Sequence, residues 1–490
     1  MTRDMPGPAE EASALPIVLD CNERLQNKVR YTFDTLFLAA GIPVTFERAP
    51  PTEGPWLHYG PGPPAASARG RCVAIRHCPR VWALFDSDED VDRAVMMDGL
   101  HVVLPPSGDD AMAALFDIGF DLVANAFCFL SSWSERVARH GDSRRLHAQS
   151  VFARLGVPQD IADRYLERLV AAVRRVRSGE RPSPAWPDGK SFALVLSHDV
   201  DFLPHGFIDN VVQGGKSVLR HLVRQRDPGD AARAALGWLR AMARGRDPYG
   251  CVPELIAREQ QLGLRSSFQV AVARRHPHDV NYRIEDDRTR SYLQAIGEAG
   301  FDLCLHGSYR STERRQWYVE EVEQLARFLG RPAGSRQHFL SFDFDVLFGA
   351  QEDSGIEYDM SMGYPDRPGP RAGFSYPYFP YDLAADRPYR VLEISLFLMD
   401  VTLRSYLGLR PAPARQAIDD CVGELRRKGG CASVVWHPIV FGGARDPGYD
   451  ELFFDMARHV AASGGLATDG RTVNDHWRRR ARGYASFSGM

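Results

Sequence analysis

The chain has 490 residues, 44% of them hydrophobic and 25% charged, which is more than one small core needs and points to two or three domains. Its 60 Lys+Arg against 63 Asp+Glu leave a formal charge of −3, so bulk attraction to nucleic acid is excluded and only a local basic patch could supply it. The eight cysteines form no C-x-x-C pair, which argues against a disulfide framework and against a thiolate zinc site.

From the start, MTRDMPGPAEEASALP carries acids and prolines where an export signal would carry basic residues and then an apolar run, so a cytoplasmic location is expected. Leu25, Val29, Leu36 and Ala40 share a helical stripe that stops at Gly41, and IPVTF follows as a strand. A Pro/Gly-rich loop spans Ala49 to Pro64. The apolar region Ala111 to Leu130 is interrupted by Asp117, Asp121 and Asn125, so it reads as part of a long buried helix over about 111–137 and not as a membrane span. A second helix is expected over 159–177. No dense group of ligand-type residues occurs in this half. At SGERPSPAWPDGK, residues 178–190, prolines and charges break the periodicity. This predicts a smaller N-terminal α/β domain, 1–185, ahead of a second domain, 186–490.

Downstream, strands alternate with helices: FALVL at 192–196, a helix from Pro253 to Gly263, SFQVAV at 267–272, a helix at 289–299, and FDLCL at 301–305. Then follow a helix with stripe Tyr318, Val322, Leu325, Leu329, strand VLEISL at 391–396, a helix at 413–427, and CASVVW at 431–436. Such βα units build a parallel sheet, and over about 300 residues a (β/α) barrel is the expected architecture, with an open doubly wound sheet as the alternative. Neither a dinucleotide fingerprint nor a P-loop occurs.

A barrel carries its chemistry just past the C-terminal strand ends. The first strand here runs into Ser197-His198-Asp199-Val200-Asp201, and the third into His306-Gly307-Ser308-Tyr309-Arg310. A later segment reads Ser335-Arg336-Gln337-His338, and the last strand ends at Trp436-His437-Pro438. Residues two apart in an extended segment face the same side, so Asp199 and Asp201 share a face that His198 does not. One carboxylate can then bind a cation while the other takes a proton. A catalytic zinc site needs three protein ligands, which Asp201, His306 and His338 supply. His437 can protonate a departing amine. Each has a plainer alternative: acids at strand ends cap helices, and histidines there sit hydrogen-bonded in rims or cores.

Together these segments resemble the polysaccharide deacetylase family, the NodB-like carbohydrate esterases, in a branch whose first motif reads D-x-D; the likeness covers about residues 188–480. It implies an irregular NodB-type barrel preceded by an accessory α/β domain, with Asp199 as general base, Asp201 as metal ligand, and a divalent ion, expected to be zinc. The second motif, H-[ST]-x-x-H, matches at His306 but has Arg310 where the second histidine would stand, so His338 would complete the triad. Arg336 matches the arginine that orients the base, and His437 the catalytic histidine. Asp359 in EYDMSMGYP is taken as that histidine's partner, with Asp400 in FLMD as rival. The stretch 363–382 looks like a substrate loop in which Arg371, Tyr376 and other aromatics line a cleft, with Tyr309 and Arg310 also on the substrate side; tyrosines in Pro-rich loops also pack on their own backbone. The resemblance implies metal-assisted removal of acetyl groups from N-acetylated sugars of a polysaccharide or glycan precursor, with an oxyanion donor near Gln337 or His338. The other readings are a glycan-binding pseudoenzyme, motivated by Arg310, and a hydrolase of an O-acetyl ester or cyclic imide.

Overall fold

Four short apolar runs near the start pair in parallel as β1 (Leu15–Leu19), β2 (Val44–Glu47), β3 (Trp56–Gly60) and β4 (Cys72–Arg76), in the order β2-β1-β3-β4. They belong to a computed structural model that describes residues 13–87, 89–106, 110–137, 146–177, 186–203, 207–223, 228–243, 251–441 and 446–490. The striped helix runs Gln26–Ala40 and stops where Gly41 turns left-handed at φ 70°, a conformation that costs glycine little. A small antiparallel hairpin, β5 (Val95–Met97) and β6 (Leu100–Val102), comes next.

The long helix expected over 111–137 is instead three pieces, Asp110–Ala113, Leu122–Leu130 and Trp133–Val137. The interrupting acids explain the break, because short acidic side chains compete for backbone N–H groups. Asp117 Oδ2 accepts the Ala74 amide at 2.8 Å, and Asp121 Oδ1 caps the second piece by accepting the Ala124 amide at 2.9 Å. The helix expected over 159–177 is observed as Ile161–Val176.

The main sheet contains β7 (Ala193–Val200), β8 (Ser267–Val270), β9 (Asp302–Gly307), β10 (Gly334–Gln337) and β11 (Tyr358–Asp359). After a two-stranded side ribbon, β12 (Tyr381–Asp382) and β13 (Arg387–Pro388), it continues through β14 (Leu392–Glu393), β15 (Leu396–Met399), β16 (Cys431–Val435) and β17 (Leu466–Thr468). The order is β14-β11-β10-β9-β8-β7-β16-β15, every pair parallel, with β17 on β7. β17 pairs with residues 193–195 of β7 and β8 with residues 197–200. The expected barrel is thus a curled parallel sheet whose edge strands β14 and β15 do not pair. Between them the Leu396 amide donates to the Met362 carbonyl at 3.1 Å, so a non-strand segment bridges the seam. The single run expected at 391–396 is split across that seam.

Of the boundary segment, residues 178–185 lie outside the described residues. On either side of it the apolar interior is continuous: Tyr31 and Phe127 of the first half pack on Tyr381, and the Tyr31 hydroxyl donates to the Phe379 carbonyl at 2.7 Å. None of the eight cysteines forms a disulfide.

Two substrate-loop expectations are corrected here. Arg371, whose side chain is 2% exposed, does not face a cleft. A guanidinium so removed from water needs a carboxylate, and Glu135 supplies one through Nε–Oε2 at 2.9 Å and Nη2–Oε2 at 2.5 Å, beneath the rings of Phe342, Phe344 and Tyr364. Tyr376 is buried against Phe374 and Trp477, its hydroxyl donating to the Lys428 carbonyl. Its neighbour Ser375 accepts the amide of Cys431, the first residue of β16, at the end of the sheet opposite His437. Glu135→Gln, which takes away this carboxylate's charge beside the buried guanidinium, is expected to cost about 3 kcal/mol of unfolding free energy in urea titrations.

Candidate metal centre

The parallel strands align their C-terminal ends, which brings residues far apart in sequence to one rim. Arg336 on β10 registers with His306 on β9, and Asp199 on β7 with Gln269 on β8. On the other side, β16 ends two residues before His437, and its neighbour β15 ends one residue before Asp400. Gly307 is needed for close packing beneath the rim, since a Cβ there would stand 2.5 Å from Gln337 Nε2.

Asp201, His306 and His338 offer ligand atoms that all lie within 4.8 Å of one another. Asp201 Oδ1 is 3.1 Å from His306 Nε2 and 3.5 Å from His338 Nε2. A tetrahedral ion with bonds of about 2.1 Å holds its ligand atoms about 3.4 Å apart, so the spacing fits. Asp201 Oδ1 and His306 Nε2 are also buried without hydrogen-bond partners, a condition that a bound cation relieves. The next layer orients the donors. His306 Nδ1 donates to the Arg336 carbonyl at 3.0 Å, leaving the Nε2 lone pair facing the centre, and His338 Nδ1 faces Asp279 Oδ1 at 3.9 Å. The residues present therefore fit a divalent cation of the zinc type, with one carboxylate and two imidazoles.

Asp199 lies beside this triad, its Oδ2 3.9 Å from His306 Nε2. Its other oxygen accepts from Arg336 Nη1 at 2.7 Å, while Arg336 Nε is fixed on the Met360 carbonyl at 2.9 Å. Arg336 is fully buried, so it holds the carboxylate in one orientation. Across the centre, His437 Nε2 is 3.4 Å from Asp201 Oδ2, and its Nδ1 donates to Asp400 Oδ1 at 2.6 Å. The pairing expected for Asp359 is thus made by Asp400. Asp359 is instead held under the sheet, accepting from Gln351 Nε2 at 2.6 Å, Ser335 Oγ at 3.2 Å and the Ser361 amide at 2.8 Å. The Gln337 amide, one of two expected oxyanion donors, is committed to Ser361 Oγ at 3.0 Å.

Burial by itself would raise the Asp201 carboxyl, but the imidazoles that face it, His338 first and then His306 and His437, hold it well below the usual range. Burial lowers the His437 imidazole, and Asp400 followed by Asp201 outweighs it, so the ring is pushed up to about 10. The same opposition, with Asp201 as the dominant anion, takes His338 to about 9. Asp400 is itself kept low against burial by His437 and by Arg404, which bonds Asp400 at 3.3 Å and reaches Asp446 at the same distance.

Arg310 turns away from the centre, pairing with Glu313 at 3.2 Å with its side chain nearly half exposed. Tyr309 stays on the rim, stacked on His276 at 4.6 Å and edge-on to Phe339, which is 41% exposed. Sequence reasoning missed Asp279, which follows β8 in RRHPHD; the strand-end rule applied to that loop would have found it. It also missed Glu321, a buried carboxyl accepting the Ser308 amide at 2.9 Å. Burial pushes Glu321 up to about 7 in spite of Ser308 and Arg275. Its folded value lies above its ordinary 4.5, so stability is lost as pH rises from about 4.5 to 7, by roughly 3 kcal/mol in all. Urea unfolding across that window should show Glu321→Gln gaining on the wild type by about this amount, and a pH-independent difference would remove the assignment.

No protein-family model matches the chain, and no curated protein matches it. Among solved structures, it is similar to a Mycobacterium smegmatis protein provisionally named a polysaccharide deacetylase, at 18% identity over 60% of this chain and 93% of that one, TM-score 0.41. It is also similar to the Puue allantoinase, at 15% identity over 61% and 95%, TM-score 0.40. A third is the chitin deacetylase of the fungal pathogen Colletotrichum lindemuthianum, at 14% identity over 58% and 87%, TM-score 0.29. At these scores none of them assigns an activity to this chain.

Proposed function

We propose that this chain is a divalent-metal-dependent hydrolase that removes the acetyl group from an N-acetylated sugar. The observation that carries the reading is the convergence of Asp201, His306 and His338, flanked by a clamped carboxylate on one side and a carboxylate-paired imidazole on the other. When bound, the cation supplies Lewis acidity that activates water and polarises an acyl carbonyl.

The remaining roles belong to the protein. Asp199, fixed by Arg336, is placed to take a proton from water at the centre. His437, paired with Asp400, is placed to donate one to the leaving amine. The rim rings Tyr309 and Phe339 offer flat apolar faces of the kind that suit a sugar ring. Arg310 motivates the pseudoenzyme reading, but His338 provides a third ligand without it, so the full donor set speaks for turnover. Ester and imide bonds would use the same residues.

Acetate or product release across N-acetyl, O-acetyl and cyclic imide compounds, with and without chelator, decides among these. Release from N-acetylated sugars that chelator abolishes is expected; no release from any of them by metal-loaded protein would refute the proposal. Within it, Asp400→Asn should lower kcat about a hundredfold with metal content unchanged, because it frees His437 without touching a ligand.

A further inference from the structure

Between β7 and β8, after Asp201, comes a pair of helices, Phe207–Val223 and Pro228–Ala243. They pack through a close approach, for a Cβ on Gly214 would stand 2.9 Å from Trp238 Nε1. That contact leaves much of their apolar surface in solvent. Leu219, Val223 and Leu239 are 60%, 63% and 55% exposed, and an open apolar groove of about 510 Å³ runs between the helices, lined by Val211, Val218, Leu222 and Ala235. Val211, Val218 and Leu222 recur at intervals of seven and four, as do Val212, Leu219 and Val223, so each set follows one side of the first helix. A contiguous exposed apolar face of this size marks an interaction surface.

Charge selects the occupant. Residues 207–243 carry six Lys/Arg against three Asp/Glu, a net of +3 inside a chain of net −3. Lys216, Arg233 and Arg240 are exposed on the two helices. Two copies of so basic a segment would repel one another, whereas aliphatic side chains accompanied by Lys and Arg match the interface of an anionic bilayer. There the apolar face enters the acyl boundary and the basic groups meet lipid phosphates. No helix among the described residues is long and apolar enough to cross a membrane, so the mode is surface docking. We infer that the helical hairpin 207–243 docks the protein on an anionic membrane surface. It begins six residues after Asp201, so its start lies within about 21 Å of the candidate centre. The inference concerns binding and does not depend on the hydrolase reading.

Co-sedimentation of the full chain with vesicles of equal parts phosphatidylglycerol and phosphatidylcholine, against pure phosphatidylcholine, tests it. Binding to the anionic vesicles is expected, weakened by salt and at least tenfold weaker in the double variant Leu219→Glu, Leu239→Glu. A Lys216→Glu, Arg240→Glu variant, which leaves the apolar face intact, should lose the preference for anionic lipid. Circular dichroism matching the wild type certifies the fold of both variants. Absence of binding to anionic vesicles, binding indifferent to both variants, or a wild-type dimer that the leucine variant splits into monomers would overturn the inference.

Discussion

Asp199→Asn is expected to keep a full complement of metal and lose about a thousandfold in kcat. The substitution preserves shape and keeps an oxygen for Arg336 Nη1, which the wild-type carboxylate meets at 2.7 Å, so the rim should hold its geometry. What it removes is basicity. General-base contributions are typically 10²–10⁴-fold, and among the described residues the other carboxylate at this point of the rim is Asp201, whose Oδ1 belongs to the candidate ligand triad. Metal content by atomic absorption alongside steady-state kinetics separates the two roles. A variant that lost metal together with activity would place Asp199 among the ligands, and one that kept most of its activity would remove it as the base.

The rim was readable in the sequence because parallel strands send their chemistry to one end. D-V-D after FALVL, His306 after FDLCL, Arg336 and His338 in SRQHF, and His437 after VVW all sit at or just past strand ends, and the structure brings them together. Asp359 and Asp400 could not be separated that way, since each also ends a short strand. The difference lies in sheet order. β15 is the neighbour of β16 and so sets Asp400 beside His437, whereas β11 lies beyond β10 on the far side. Pairings between strands distant in sequence leave no local trace. Arg371 and Tyr376 failed for another reason. A loop rich in proline, arginine and tyrosine has the composition of a substrate surface, but composition does not reveal a partner 236 residues away such as Glu135. The break at Asp117–Asp121 is signalled by the acids themselves: Asp121 caps the start of the second piece, and Asp117 is committed to the Ala74 amide of β4. The open seam between β14 and β15 had no such signal, because it depends on one loop hydrogen-bonding to the start of β15.

His306→Ala and His338→Ala are expected to lose the metal itself, and equally, although only one of the two occupies a position that the H-[ST]-x-x-H pattern anticipates. Their Nε2 atoms stand at 3.1 and 3.5 Å from the same oxygen, Asp201 Oδ1, so neither is peripheral. Mutating groups that merely orient a ligand typically costs 10–100-fold in affinity, so deleting a ligand from a set of three should weaken binding by more than about a hundredfold. Thermal denaturation reads the loss without any substrate. Excess zinc at a hundred times its Kd stabilises the wild type by about 2.7 kcal/mol, and both alanine variants should show almost no zinc-dependent rise in Tm. Adding Arg310→His to His338→Ala should not restore it, because that side chain extends toward Glu313 and solvent. If the double variant regained zinc-dependent stabilisation, the third ligand position would belong to residue 310 and His338 would be a rim histidine.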